Sequence, residues 1–274
     1  MSIATEYAER GYAIVRGLFT AAEVAEIGGA MDAVHAEGLA HGRSFRHGNL
    51  FYRVVDGVAG AEVRLVQWPS WHNEVLGRTR VDARFHALLS PFLGDDIKQI
   101  INQLHWKRPG GQGDFAWHQD SRFRRPADAY RGLGANYVQT GLAIDPHDAA
   151  SGGMRIVPGS HKAGDLKLEI AGAVMDAAAA DEALVAAGFD PADVIDLELQ
   201  PGDLALWSPY LVHGSGQNRA GHMRRFYING YVRADACDRG EWAFRGGEPV
   251  LLSGRPALVH YEELHTRPEP HYVD

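Results

Sequence analysis

The chain has a single cysteine, Cys237, so no intramolecular disulfide can close and packing alone has to hold the fold. It has no excess of positive charge either: 27 Lys and Arg stand against 35 Asp and Glu, a net charge of −8. That balance offers no cationic surface of the kind nucleic acid requires, and no block of like charges suggests an electrostatic tail. Nowhere does an apolar run reach the roughly 18 residues of a membrane span, because the longest Ala-rich stretch is broken by Asp176, Asp181 and Glu182. The N-terminus, "MSIATEYAERGYAIV", lacks the basic and then apolar run of a signal peptide, which together with the lone cysteine points to a cytoplasmic protein. Two enzyme signatures are missing as well. "GSGQNR" at 214–219 puts Arg219 where a dinucleotide fingerprint needs its third glycine, and Ser215 lacks the spacing of a nucleophile elbow.

What is present is enough apolar sequence, 45% of 274 residues, to bury a sizeable core in one domain. Tyr12 to Val15 reads as a short strand, and Thr20 with Glu23 has capping-box spacing ahead of a helix carrying Val24, Ile27, Met31 and Val34. β-branched and aromatic residues then concentrate at Glu62 to Trp68, Ile97 to Lys107, Tyr137 to Ile144, Gly153 to Val157, Asp203 to Trp207 and Arg225 to Val232. Ile170 to Gly188 reads as an Ala-rich helical insertion. The pattern predicts a mainly β fold, a sandwich or jelly roll, with flanking α-helices.

The chemistry starts at "FAWHQDSRF", residues 115–123. In a strand, residues two apart project from one face, so His118 and Asp120 can reach one point. Alone the pair permits two readings, a solvated surface pair or two ligands of a metal. A third ligand is offered by His213, at the end of an apolar run just before a Gly-rich turn. Two histidines and one carboxylate on one face of iron leave sites open, as oxygen-activating non-heme Fe(II) enzymes require. Arg224 begins the strand that follows, and its planar fork suits the far carboxylate of a bidentate co-substrate, while Arg225 faces the other way.

These residues together with "WHQD" at 117–120, "SGGMRIVPGSHKAG" at 151–164, "PGDLALW" at 201–207 and "HGSGQN" followed by Arg224, eleven residues beyond His213, resemble the phytanoyl-CoA dioxygenase family of Fe(II)- and 2-oxoglutarate-dependent oxygenases. The resemblance spans nearly the whole chain. It implies a double-stranded β-helix, a cupin-like jelly roll with core at about 95–235 and N-terminal helical support at about 1–94. It implies that His118, Asp120 and His213 hold the iron, that Arg224 pairs with the distal carboxylate of 2-oxoglutarate, and that Ser215 assists. Lys107 resembles a lysine that serves 2-oxoglutarate in the ectoine-hydroxylase branch, and Gln103 and His105, on its strand face, are candidates to line the pocket. The expected reaction consumes O2 and 2-oxoglutarate, hydroxylates an unactivated C–H of a small molecule and releases succinate and CO2. Keeping Asp120 separates the chain from related halogenases, which have a small residue there.

Several expectations are finer. Arg122, Arg124 and Arg125 are either a solvated loop or contacts for an anionic substrate, and Tyr137 and Gln139 either pack or touch substrate. His161, in "PGSH", is expected in a turn, and His147, His222, His260, His265 and His271 on the surface. Gly141 stands where some relatives carry an aromatic, which predicts a roomier pocket. Ala220 stands where the family often has Ser or Thr, which predicts a missing hydrogen bond in the turn. The Ala-rich insertion and 233–255 are candidates for a lid, and the polar C-terminal segment for a surface tail. The rival reading is a cupin-like metal enzyme, or a metal or small-molecule binding protein, that uses no 2-oxoglutarate and has no need of Arg224.

Overall fold

A Thr20 hydroxyl accepts from the Glu23 N–H while the Glu23 carboxylate accepts from the Thr20 N–H, so the expected capping box starts the longest helix. The computed structural model describes residues 2–57, 60–111, 113–166, 168, 174–175, 177–256 and 267–273. In chain order the first elements are α1 (Ile3–Arg10), β1 (Tyr12–Val15), α2 (Ala21–His41), β2 (Phe45–His47), β3 (Leu50–Gly57), β4 (Gly60–Gln67), α3 (Glu74–Thr79) and α4 (Ala83–Leu93). There follow β5 (Ile97–Lys107), β6 (Phe115–His118), α5 (Leu133–Asn136), β7 (Tyr137–Ala143), β8 (Met154–Ile156), α6 (Asp181–Ala186) and β9 (Ile195–Asp196). The last are β10 (Leu204–Trp207), β11 (His213–Ser215), β12 (Arg224–Arg233), β13 (Glu241–Arg245), β14 (Glu248–Pro249) and β15 (His271–Tyr272).

The described strands form two antiparallel sheets, a large one ordered β1-β10-β7-β12-β5-β4-β3-β2-β15 and a small one ordered β6-β11-β8-β9. This is the double-stranded β-helix. Every residue of β7 is buried, because helices cover one face of the large sheet and the small sheet faces the other. α2 lies on β3 and β4 and α4 on β7, so Ile27, Met31, Val34, Phe85 and Leu89 share one core with Leu104, Leu142 and Tyr231. Arg225 ties the layers: its guanidinium bonds Asp145 at 2.8 Å and Asp32 of α2 at 3.0 Å, on the face opposite Arg224 as expected.

The N-terminal third supplies more than helices. β1 pairs with β10, and β2 to β4 extend the large sheet beyond β5. Of the Ala-rich stretch, helix is described only over Asp181–Ala186. The 233–255 segment is no lid: β13 pairs with β5 at Ile97 to Gln99, the opposite end of that strand from Lys107, and β14 pairs with β13. At the C-terminus His271 and Tyr272 pair with β2 rather than trailing as a tail. His260 and His265 lie outside the described residues. Among the described residues no helix is long and apolar enough to cross a membrane.

Candidate active site

Strand register brings the two sequence-distant histidines together. His213 of β11 is the cross-strand partner of His118 of β6, so both side chains leave one face, and their rings stand 4.1 Å apart. The chain then turns, and Asp120 opens a short 3-10 turn that aims its carboxylate at the same point. Ligand atoms of His118, Asp120 and His213, all buried, lie within 4.8 Å of one another, the one such group among the described residues.

Each side chain is oriented by a second contact. His118 Nδ1–H donates to the Ala116 carbonyl at 2.7 Å, and His213 Nδ1–H to the Leu211 carbonyl at 2.9 Å, which leaves both Nε2 lone pairs for a ligand. Trp207 Nε1–H donates to Asp120 Oδ2 at 2.8 Å, and Asp120 Oδ1 stands 4.0 Å from His213 Nε2. Burial, with the neighbouring His213, drives the His118 imidazolium pKa down to about 3, so the ring is neutral. Burial alone would raise the Asp120 carboxyl, but its neighbours His213, Arg124 and His118 and the indole hydrogen bond outweigh it and leave the group below its ordinary value. Two imidazoles and one carboxylate fit a divalent iron.

The trio opens on a cavity of about 410 Å³ between the sheets. Gln103, His105, Gln139, Ser215 and Arg224 line it, as do Arg122 and Arg124. Arg224 is only 5% exposed and lies over the Phe226 ring. Burial pulls its guanidinium down to about 10, which leaves it charged at neutral pH, and no carboxylate lies within ion-pair distance of it among the described residues. Lys107 reaches this region through protein atoms. Its ammonium donates to Ser215 Oγ at 2.8 Å and to the carbonyls of Gly152 and Gly216 at 2.9 and 2.6 Å, so it holds Ser215 in place. Gln103 and His105 bond each other at 3.2 Å.

The folded chain changes other expectations. Gly141 does not enlarge the pocket: a Cβ there would meet the Phe226 ring at 2.2 Å, so an aromatic from the adjacent strand fills the space. Asn218 closes the turn at Ala220, accepting from the Ala220 N–H and donating to the carbonyls of Lys107 and His222. Arg124 is no solvated loop residue; it is 2% exposed and bonds the Tyr137 hydroxyl and Gln139. Tyr137 itself stays behind the wall, its hydroxyl bonded to Gln139 and Arg124. Arg122 is exposed at the mouth. His161 sits in a turn, on the Ala8 carbonyl. His147 is not a surface residue, being 1% exposed, because its backbone bridges Leu199 and its ring lies on Phe226.

Sequence reasoning missed Trp207 as the partner of Asp120 and His147 as the neighbour of Arg224. The signal for Trp207 was present: an indole in a buried strand needs an acceptor for its N–H. A histidine in a polar loop after Asp145-Pro146 gave no comparable sign.

The fold and this site define a double-stranded β-helix oxygenase. Residues 7–226 match the phytanoyl-CoA dioxygenase (PhyH) family, and the chain belongs to it. The protein is therefore a non-heme dioxygenase dependent on Fe(II), 2-oxoglutarate and O2. A "Probable alpha-ketoglutarate-dependent hypophosphite dioxygenase" from Stutzerimonas stutzeri is 28% identical over 264 residues, 92% of this chain and 86% of that protein. Among solved structures, EctD from S. alaskensis with 2-oxoglutarate and 5-hydroxyectoine is similar at a TM-score of 0.64 and 20% identity, over 93% of this chain and 84% of that one. The 2-oxoglutarate-dependent epimerase SnoN from nogalamycin biosynthesis is similar at a TM-score of 0.59 and 21% identity, over 93% of this chain and 94% of that one.

Proposed function

We propose that the protein hydroxylates an unactivated C–H of a small, anionic molecule, with His118, Asp120 and His213 as the iron ligands and Arg224 as the anchor of 2-oxoglutarate. The observation that carries this reading is the pairing, in one cavity, of the His-Asp-His trio with a buried guanidinium that lacks an acid partner among the described residues. Bound iron with 2-oxoglutarate supplies the oxidising power by which O2 and the keto acid become hydroxyl, succinate and CO2. The chain's own residues do the rest. The carbonyls of Ala116 and Leu211 and the Trp207 indole fix the three ligands before metal arrives, so little reorganisation accompanies binding. Arg224 and Ser215 orient the co-substrate, and the apolar walls, Ile101, Ile228 and Phe226 among them, exclude bulk water.

Substrate charge is read from the wall. Arg53, Arg122 and Arg124 line the cavity against one carboxylate, Asp120, which supports an anion. The cupin-like alternative without 2-oxoglutarate leaves the burial of Arg224 unexplained. The test is a screen of small phosphonates, carboxylates and hypophosphite, the substrate in the bacterial relative's name, for succinate release under labelled O2. A carbon compound that gains one labelled oxygen supports C–H hydroxylation, whereas turnover of hypophosphite, which has P–H bonds and no C–H, replaces it with P–H oxidation. Succinate with a product that has lost two hydrogens and gained no oxygen replaces it with desaturation.

A further inference from the structure

His147 presents a hydrogen-bond conflict that the chain does not settle by itself. The Met154 N–H donates to His147 Nε2 at 2.7 Å, which makes Nε2 the acceptor. A neutral ring then carries its proton on Nδ1, and burial next to Arg224 and Lys107 keeps the ring neutral, its pKa far below the ordinary histidine value. His147 Nδ1 lies 3.3 Å from Arg224 Nη1, and a guanidinium has no lone pair to offer. Two donors therefore face each other with no acceptor between them. The opposite tautomer only moves the clash, since Nε2–H would then meet the Met154 N–H at the shorter distance.

The arrangement is held from several sides. His147 N–H donates to Leu199 O at 3.0 Å and Leu199 N–H returns a bond at 2.8 Å, so the backbone is fixed. The ring lies on Phe226, 4.5 Å between centroids, and Phe226 is also the ring beneath Arg224. Gly153 makes room for the imidazole, because a Cβ there would stand 2.8 Å from its Cδ2. Arg224 Nε likewise has no hydrogen-bond partner among the described residues.

We propose that His147 is a second donor to the distal carboxylate of the co-substrate: its Nδ1–H and the Arg224 guanidinium converge so that a carboxylate accepts from both. The inference rests on the reading of Arg224 as the 2-oxoglutarate anchor. An anion at this point converts the donor–donor contact into two charge-assisted hydrogen bonds, and a keto acid without a distal carboxylate gains nothing from it.

The test compares dissociation constants of 2-oxoglutarate and 2-oxovalerate, which shares the keto-acid head but ends in a methyl. Both are titrated anaerobically into the Fe(II)-loaded protein and read by calorimetry and the visible charge-transfer band. His147→Gln can keep an acceptor for Met154 but not the Nδ1 donor, and His147→Asn can keep a donor near Nδ1. The Gln variant is expected to bind 2-oxoglutarate about tenfold more weakly with 2-oxovalerate unchanged, and the Asn variant to recover most of the loss. Equal weakening of both acids, or none in either variant, overturns the role of His147. If the unsubstituted protein does not prefer 2-oxoglutarate to 2-oxovalerate, the reading of Arg224 fails first.

Discussion

Trp207 and Asp120 are joined by an indole hydrogen bond of 2.8 Å that occupies Oδ2 and turns Oδ1 toward His213. The bond crosses between the sheets, from β10 of the large one to the turn that follows β6 of the small one. Trp207→Phe keeps a ring in place and deletes the N–H. Iron affinity, measured by competition with a chelator, is expected to fall about tenfold, with secondary structure intact. Unchanged affinity would mean that packing alone orients the carboxylate.

Gly141 and Phe226 are a matched pair across β7 and β12. Gly141→Ala forces the Phe226 ring to move, and the ring supports Arg224. A loss of about 1–3 kcal/mol in unfolding free energy is expected, together with weaker 2-oxoglutarate binding in the same titration. A variant as stable as the parent, with unchanged affinity, would show that the ring has room to shift.

Lys107 spends its ammonium on Ser215 and two loop carbonyls. Lys107→Met leaves those acceptors without their donor in a buried place, at a cost of about 3 kcal/mol in denaturant unfolding. Because Ser215 also loses its tether, co-substrate affinity falls with it. Full stability in this variant would contradict the structural part of the role.

The fold resists acid less well than its carboxylates alone would dictate. Burial, aided by the charges of Arg224 and Lys107, lowers the His105 pKa from 6.5 to about 3 and that of His147 well below its ordinary value. The unfolded chain takes up protons near pH 6.5 that the folded one refuses. The stability these rings contribute is complete above pH 6.5 and falls as pH drops toward 3. Urea midpoints of the metal-free protein measured from pH 7.5 down to 4 check this, and His105→Gln should give a shallower decline. Parallel pH profiles would remove His105 as a contributor.

Much of this was legible in the chain because it depends on local chemistry. The Thr20–Glu23 box, the strand at Ile97–Lys107 and the opposed faces of Arg224 and Arg225 follow from spacing alone. The three candidate ligands came from residue type and position, and cross-strand register completed them. What stayed hidden depends on partners distant in sequence. Phe226 filling the place above Gly141 requires knowing which strand lies beside β7, and Lys107 holding Ser215 requires the turn that brings them together. Leu50–Gly57 went unread as a strand, although its alternating burial is plain once β4 is beside it. His147 and Arg124 looked like surface residues because short polar loops carry them, and tertiary packing buries both.

The central claim is that one cavity holds iron and 2-oxoglutarate together. Its most direct test is an anaerobic titration of the metal-free protein with Fe(II) and then 2-oxoglutarate, followed by the visible metal-to-ligand charge-transfer band, alongside Asp120→Ala and Arg224→Ala. The parent is expected to show a band that weakens in both variants, through lost iron in the first and lost co-substrate affinity in the second. Iron binding without any band on addition of 2-oxoglutarate would contradict it and favour a metal enzyme of the same fold that does not use the keto acid.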